Sequence, residues 1–338
     1  MKSVALLEKN FDLKPLNTFQ ISSVADNVYF PENEAEFVEL LKTLENPVIL
    51  GGGSNILFSS AGVKEPVIST RALDTIMLDG DIITAGTGAK TPVLAQFAAK
   101  HALSGFEFLA PIPASIGGAV CMNASAHGQA ISDVFLSVKL FDLKKREIVE
   151  FSASQMNFGY RTSILKSGRY VKTSEQNKNE IFDSRASAIK GRSPYVFLEG
   201  KFKLSKALQD TIKARMEENV KYRKKHHPGL KFPNAGSIFK NPPDTSAGAL
   251  IDQCGLKGTK MGGIDGVGGA QIFENHANFI VNTGGATSKD VTELMFLAYN
   301  KVMEKFGVGL TPEILFIGEK ESEVLERMWE KMLENQVK

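Results

Sequence analysis

Two glycine-rich stretches constrain this chain more than any other feature in it. The first, Gly51-Gly52-Gly53-Ser54-Asn55, follows directly on the apolar triplet Val48-Ile49-Leu50. The second, Pro111-Ile112-Pro113-Ala114-Ser115-Ile116-Gly117-Gly118-Ala119-Val120, is dominated by small residues and leads to Asn123. Glycines let a backbone approach an anion and aim successive N–H groups at it, and Ser54 and Asn55 add side-chain donors, so the first stretch suits a pyrophosphate. It equally suits a tight turn after a strand. The second stretch suits a flat or bulky group lying on the backbone, or the start of a buried helix packed on a sheet. As a pair they match a dinucleotide, which presents both a pyrophosphate and an extended ring system, and a flavin nucleotide meets that demand. Neither is a G-x-G-x-x-G fingerprint or a Walker loop; Gly86-Thr87-Gly88-Ala89-Lys90-Thr91 lacks the last glycine of the one and the Gly-Lys pair of the other.

The remaining bulk properties narrow the class. At roughly 150 residues per domain, 338 residues make two or three domains. With 43% apolar and 23% charged residues the chain reads as an ordinary globular protein. A net charge of +2 supplies no field for nucleic acid. Apolar runs such as Leu294 to Tyr299 fall far short of the about eighteen residues a membrane span requires, and Val4 to Leu7 is too short for the core of a secretory signal. A cytoplasmic protein with no membrane insertion is expected. Cys121 and Cys254 are the only cysteines, which fits a reducing compartment and offers no metal-ligand spacing.

The order of elements reads as α+β. Phe37, Leu40, Leu41 and Leu44 recur at helical spacing before the Val48 strand, and Pro92 opens a helix with Leu94, Phe97, Ala98 and His101. Ile76–Leu78 and Ile82–Thr84 flank Asp79-Gly80, a type I′ hairpin signal; Val138–Phe141 and Ile148–Phe151 form a second hairpin around Lys144-Lys145. Residues 173–194 are polar and aperiodic and read as a long surface loop or lid. After a strand at 196–204, Leu208, Ile212, Met216 and Val220 step along a helix that ends in Lys221, Arg223, Lys224 and Lys225. Thr287 with Asp290 forms a capping box for a helix carrying Val291, Leu294, Met295, Ala298 and Val302, and a last helix carries Val324, Leu325, Met328 and Met332.

Three residues deserve chemical weight only in company. Arg161, in Gly159-Tyr160-Arg161-Thr162, is alone compatible with a surface ion pair. Ser237, in Asn234-Ala235-Gly236-Ser237-Ile238-Phe239, is alone compatible with a turn, and Glu313 after Pro312 with a strand entry. No G-x-S-x-G elbow surrounds Ser237, so hydrolase chemistry is unsupported. Adjacent His226 and His227 cannot easily converge on one metal.

Together these segments resemble the UDP-N-acetylenolpyruvoylglucosamine reductase, or MurB, family of peptidoglycan synthesis. The likeness runs from Asn17-Thr18-Phe19 through the Gly51 loop, Pro111 to Asn123, Tyr160-Arg161, Asn234 to Pro242 and Ala247 to Gln253, to His276-Ala277-Asn278-Phe279 and Pro312-Glu313. It implies a three-domain α+β fold: two FAD-binding lobes of the vanillyl-alcohol oxidase superfamily type, at 1–70 and 71–205 (the second joined by the C-terminal helix 320–338), and a C-terminal α/β substrate domain at 206–319. It implies FAD as cofactor, NADPH as hydride donor and UDP-N-acetylglucosamine enolpyruvate as substrate, in a monomer.

By the same resemblance the catalytic positions fall on Ser237, Arg161 and Glu313. FAD contacts fall on Gly51, Gly52, Gly53, Ser54, Asn55, Pro113, Ser115, Ile116, Gly117, Gly118 and Asn123, and substrate contacts on Tyr160, Lys225, Asn241 and Gln253. A guanidinium fork suits the substrate carboxylate, a protonated carboxyl suits the charge that develops there, and a serine supplies the proton. Departures from the family pattern are Pro113-Ala114-Ser115 for Pro-Gly-Ser, Ala124-Ser125-Ala126-His127-Gly128 for Ala-Gly-Ala-Tyr-Gly, and extra residues at 173–194 and within Gly262–Gly268. The strand ending at Leu204 runs straight into a helix, as in the subgroup without a tyrosine-bearing substrate loop. A flavin oxidase, or a nucleotide-sugar binding protein without flavin, is the competing expectation.

Overall fold

The computed structural model describes residues 5–166, 193–229, 231–263 and 267–334. The expected lid at 173–194 therefore lies almost wholly outside the described residues. The chain divides into two compact units: residues 1–8, 28–52 and 66–223, and residues 9–27, 53–65 and 224–338.

In the first unit a five-stranded antiparallel sheet runs in the order Glu147–Ser152, Phe135–Asp142, Tyr195–Lys203, Ile82–Gly86, Ile76–Asp79. Both expected hairpins are present in it. The turn of the outer one sits one residue later than its sequence signal: Asp79 pairs with Ile82, so Gly80 and Asp81 form the loop. Only Gly80 takes positive φ (60°), as a type II′ turn demands of its first central residue. At the other hairpin the Asp142 carboxylate closes the turn by accepting from the Lys144 and Lys145 amides at 2.9 and 3.0 Å.

The helix Thr91–Lys100 and the short helix Ile116–Cys121 cover this sheet, sealing Ile83, Leu94, Phe108, Ile116, Val120 and Phe202 into one core. A smaller core joins Phe37 and Leu41 of the helix Glu34–Thr43 to Ile68, Phe141 and Leu198. Val48–Leu50 and Val28–Tyr29 pair in parallel on either side of Val67–Ser69. Three consecutive buried residues in Val67–Ser69 show that this central strand is covered on both faces.

The second unit packs the helices Ala247–Gln253, Ser288–Phe306 and Glu323–Glu334 with the three-stranded sheet Lys260–Met261, Ala270–Ile272, Ile280–Asn282. Leu315–Ile317 pairs in parallel with Ile56–Phe58. The Thr287 and Asp290 capping box forms as expected, and its helix buries Val291, Leu294, Met295, Ala298 and Val302. The last helix buries Leu325, Trp329 and Met332 and leaves Val324 63% exposed, so its inward stripe is shifted from the expected one. The helix Gln209–His226 passes the unit boundary after Arg223. Leu208 precedes it at 79% exposure, and Ile212 is the one apolar residue of the expected stripe that is fully buried. No helix among the described residues is long and apolar enough to cross a membrane.

Candidate active site

In the first unit, Val48–Leu50 delivers Gly51 and Gly52 against Ser115. A side chain on Gly51 would run into the Ser115 hydroxyl, and a Cβ on Gly52 would stand 3.3 Å from the Ser115 amide and 3.5 Å from Ala114. At Gly52 backbone therefore lies on backbone, closer than most side chains would allow. Ser115 caps the helix Ile116–Cys121, its Oγ accepting from the Gly118 amide at 3.4 Å.

Along this helix Ile116, Gly117, Ala119 and Val120 are buried while Gly118 is exposed, and a Cβ there would meet only Ser115 Oγ, at 3.5 Å. Gly117 closes on Thr87 and donates to its carbonyl at 3.0 Å. Pro113 is exposed. Ser69, buried and in register with Leu50, carries a hydroxyl with no hydrogen-bond partner among the described residues. Bare glycine backbone, an exposed Gly118 in the first helical turn and the buried Ser69 hydroxyl fit a flat, polar-edged group such as the FAD expected here. Gly51, Gly52, Ser115 and Gly118 would hold it. The first loop passes into the second unit at Gly53, whose positive φ (66°) and contact with Leu16 and Asn17 again exclude a side chain.

Also in the first unit, Gly159 and Thr162 exchange backbone hydrogen bonds at 3.1 and 3.2 Å, making a tight turn with Tyr160 and Arg161 at its tip. Arg161 adopts φ of 55°, a left-handed conformation uncommon for a residue other than glycine. Its guanidinium carbon lies 5.2 Å from the centre of the Tyr160 ring, and its Nη1 donates to Ser125 Oγ at 2.7 Å. Asn123, buried with φ of 42°, donates to the Gly159 carbonyl at 3.2 Å and accepts from the Ser132 amide at 3.0 Å. Asn123 thus braces the Arg161 turn.

In the second unit the Glu313 amide donates to the Ile238 carbonyl at 2.7 Å, and Phe239 bridges Pro312. Ser237 and Glu313 thereby stand on neighbouring segments of one small backbone pairing. Glu313 is buried at 9% exposure; Ser237 is half-buried. On the other side Ser237 bridges Phe279, and the Asn278 carbonyl accepts from the Ile238 amide at 2.9 Å. The buried Asn278 side chain also binds Phe239 both ways, accepting its N–H at 2.9 Å and donating to its carbonyl at 2.8 Å. Sequence reasoning gave Asn278 no role; nothing in Ala277-Asn278-Phe279 reveals a partner so distant in the chain.

Ahead of Ser237, Thr18 donates to the Asn234 carbonyl at 2.6 Å, and Asn234 Oδ1 accepts from the Gly236 amide at 2.9 Å. This fixes the turn that presents the serine. Asn55 donates to the Glu313 carbonyl at 3.2 Å, and the Ser54 carbonyl lies 3.9 Å from a Cβ built on Gly236. Asn241 accepts from the Ala247 amide at 3.1 Å at the start of the helix Ala247–Gln253, whereas Gln253 is its last residue. At 1.5 Å per residue the two ends of this helix stand about 9 Å apart along its axis. Lys225 is exposed near the end of its helix.

Burial pushes the Cys121 thiol up to about 11 and holds His276 below the ordinary imidazole value. No group of three or more His, Cys, Asp or Glu able to hold a metal occurs among the described residues.

The cradle and the fold together define a flavin-nucleotide-binding protein, and residues 25–152 match the family described as an FAD binding domain. Residues 227–317 match a second, UDP-N-acetylenolpyruvoylglucosamine reductase, C-terminal domain. The reductase of that name from Caldicellulosiruptor bescii is 36% identical over 320 residues, 93% of this chain and 91% of the relative. The one from Bacillus licheniformis is 36% identical over 318 residues, 92% of this chain and 94% of the relative. The solved structure of UDP-N-acetylenolpyruvylglucosamine reductase (MurB) from Thermus caldophilus superposes with a TM-score of 0.73 at 31% identity, covering 93% of this chain and 99% of that one. This chain belongs to the UDP-N-acetylenolpyruvoylglucosamine reductase family. The α+β fold with an FAD-binding region and a C-terminal domain, expected from the resemblance, is borne out.

Proposed function

We propose that Arg161, Ser237 and Glu313 serve one reaction, the NADPH-dependent reduction of UDP-N-acetylglucosamine enolpyruvate to UDP-N-acetylmuramate through FAD. That reaction is the family's own, and it makes the chain an oxidoreductase of peptidoglycan precursor synthesis. FAD, once reduced by NADPH, supplies the hydride that joins the terminal carbon of the enolpyruvyl double bond. The electron pair of that bond moves to the adjoining carbon and its carboxylate, and a proton completes the product. NADPH leaves as NADP⁺, and that proton is the one the overall reaction consumes.

Arg161 holds the substrate carboxylate, since a guanidinium fork matches it and stays charged at any working pH. Ser237 gives its hydroxyl proton to the carbon next to that carboxylate, and Glu313 donates a hydrogen bond as charge builds there. The observation that supports the reading is the backbone hydrogen bond from Glu313 to Ile238, which sets the Glu313 backbone beside the residue that follows Ser237. The glycine cradle holds FAD through Gly51, Gly52, Gly53, Ser54, Asn55, Pro113, Ser115, Ile116, Gly117, Gly118 and Asn123, and Tyr160, Lys225, Asn241 and Gln253 contact the sugar nucleotide. Division into two FAD lobes and a substrate domain, a cytoplasmic location and a monomeric state belong to the same proposal.

One anaerobic titration tests it. The purified holoenzyme should show a flavin spectrum that NADPH bleaches and enolpyruvyl sugar nucleotide restores. Rapid reoxidation by oxygen with none by the sugar nucleotide would favour the oxidase reading.

A further inference from the structure

We propose that Ser125 is a positioning residue for Arg161, fixing the guanidinium before the substrate carboxylate arrives. The inference rests on the reading of Arg161 given above and adds to it a residue that acts through the arginine.

Ser125 stands on a stiff element. Ser125-Ala126 pairs with Gln129-Ala130, with Gln129 opposite Ala126 and Ala130 opposite Ser125. Between them His127 and Gly128 both have positive φ, 52° and 77°, the pattern of a type I′ turn. The His127 ring meets Tyr222 edge-on at 5.3 Å, which anchors the tip. The hairpin and the Arg161 turn are then tied together by Asn123, whose amide reaches the Gly159 carbonyl while its oxygen accepts from Ser132, just past the hairpin.

Within this frame Ser125 Oγ accepts from Arg161 Nη1 at 2.7 Å, a short hydrogen bond of the charge-assisted kind. The Tyr160 ring lies against the guanidinium from another direction, and Lys166 donates to the Arg161 carbonyl at 3.1 Å. A guanidinium on a long side chain otherwise samples many rotamers and loses that freedom when it binds a carboxylate. One hydrogen bond to a hydroxyl on a rigid hairpin removes most of it in advance, leaving the other N–H groups of the fork oriented. The positive φ of Arg161 points the same way: a non-glycine residue in the left-handed region persists where its surroundings over-determine it.

The test uses holoenzyme of Ser125→Ala, Ser125→Gly, Ser125→Cys, Ser125→Thr, Arg161→Ala and the Ser125→Ala/Arg161→Ala double variant. FAD content and thermal midpoint are checked first, and the two half-reactions are then followed separately. Ser125→Ala should slow flavin reoxidation by the enolpyruvyl sugar nucleotide roughly ten- to a hundredfold, the range of one hydrogen bond to a charged group, with NADPH reduction unchanged. Ser125→Thr should restore most of the loss. Should the alanine variant fail to fold, Ser125→Cys gives the same comparison at nearly constant size. In the Arg161→Ala background Ser125→Ala should cost nothing more. A parental rate for Ser125→Ala beside a crippled Arg161→Ala overturns the positioning role alone, as does a full extra loss in the double variant. A parental rate for Arg161→Ala overturns the reading beneath it and this inference together.

Discussion

The Glu313 backbone N–H donates to the carbonyl of Ile238 at 2.7 Å, so a residue near the end of the second unit and one beside Ser237 are held in register. Neither position carries a local signal for the other. If Ser237 is the proton donor, Ser237→Ala should leave FAD reduction by NADPH near its parental rate, because that step delivers no proton to the substrate carbon. Reoxidation by the enolpyruvyl sugar nucleotide should fall by about 10²- to 10⁴-fold, the usual contribution of general acid catalysis. Glu313→Gln should act on the same half-reaction. Stopped-flow absorbance of the flavin reads both steps, and equal slowing of the two would mean that Ser237 organises the pocket instead.

The Asn278 side chain makes two hydrogen bonds to Phe239 in a buried place. Asn278→Ala leaves that N–H and carbonyl without a partner, at a cost of about 1–3 kcal/mol for each group left unsatisfied. Chemical denaturation should show that loss, with slower flavin reoxidation because the segment carrying Ser237 loosens. Unchanged stability would mean that water replaces the amide on both groups.

Local chemistry was legible in the sequence where the partner lies within a few residues. The Thr287 and Asp290 capping box and the hairpin turn around Lys144-Lys145 need no distant contact, and both formed where their spacing indicated. The Asp79-Gly80 signal found the right hairpin but missed its centre by one residue, since the register is fixed by the neighbouring strand Tyr195–Lys203 as well as by the turn. The stripe Leu208 to Val220 failed at Leu208, which lies just ahead of the helix and is exposed, because periodicity alone does not say where the helix starts or which face another element covers. The Ser237, Glu313 and Asn278 cluster depends on backbone pairing between remote segments. Only the family resemblance, not spacing, brought the first two residues into view, and it left the third without a role.

The glycine cradle makes a sharper structural demand. A Cβ at Gly52 would stand 3.3 Å from the Ser115 amide, tighter than an ordinary contact, and a valine would add two methyl groups to that wall. Gly52→Val should push the loop off Ser115 and lower FAD retention at least tenfold, about 1.4 kcal/mol by the usual conversion, measured as flavin released on dilution. The first unit's core, built around Phe108, Ile116 and Phe202, should survive, so far-ultraviolet dichroism should be unchanged. Full flavin occupancy after dilution would remove this loop from the cofactor site.

His276 provides the pH test. Its ring packs on Phe279 at 4.8 Å and on His227 at 5.5 Å between centroids, and its Nδ1 accepts from the Asn278 amide at 3.3 Å, which requires that nitrogen to be unprotonated. Burial is the leading cause that holds its imidazole below the ordinary value; Lys257 and His226 act the same way, against a backbone hydrogen bond of its own. A histidine depressed in the folded state contributes stability in full above its unfolded value of about 6.5, and that contribution is lost as pH falls through the folded value. Unfolding should therefore take up a proton below neutrality, and the thermal midpoint should drop from pH 7 toward pH 5. In His276→Gln, which keeps an acceptor but cannot gain charge in this range, the slope should flatten. Identical midpoint against pH curves for parent and variant would show that His276 takes up its proton equally in the folded and unfolded states, and another group would have to carry the acid sensitivity.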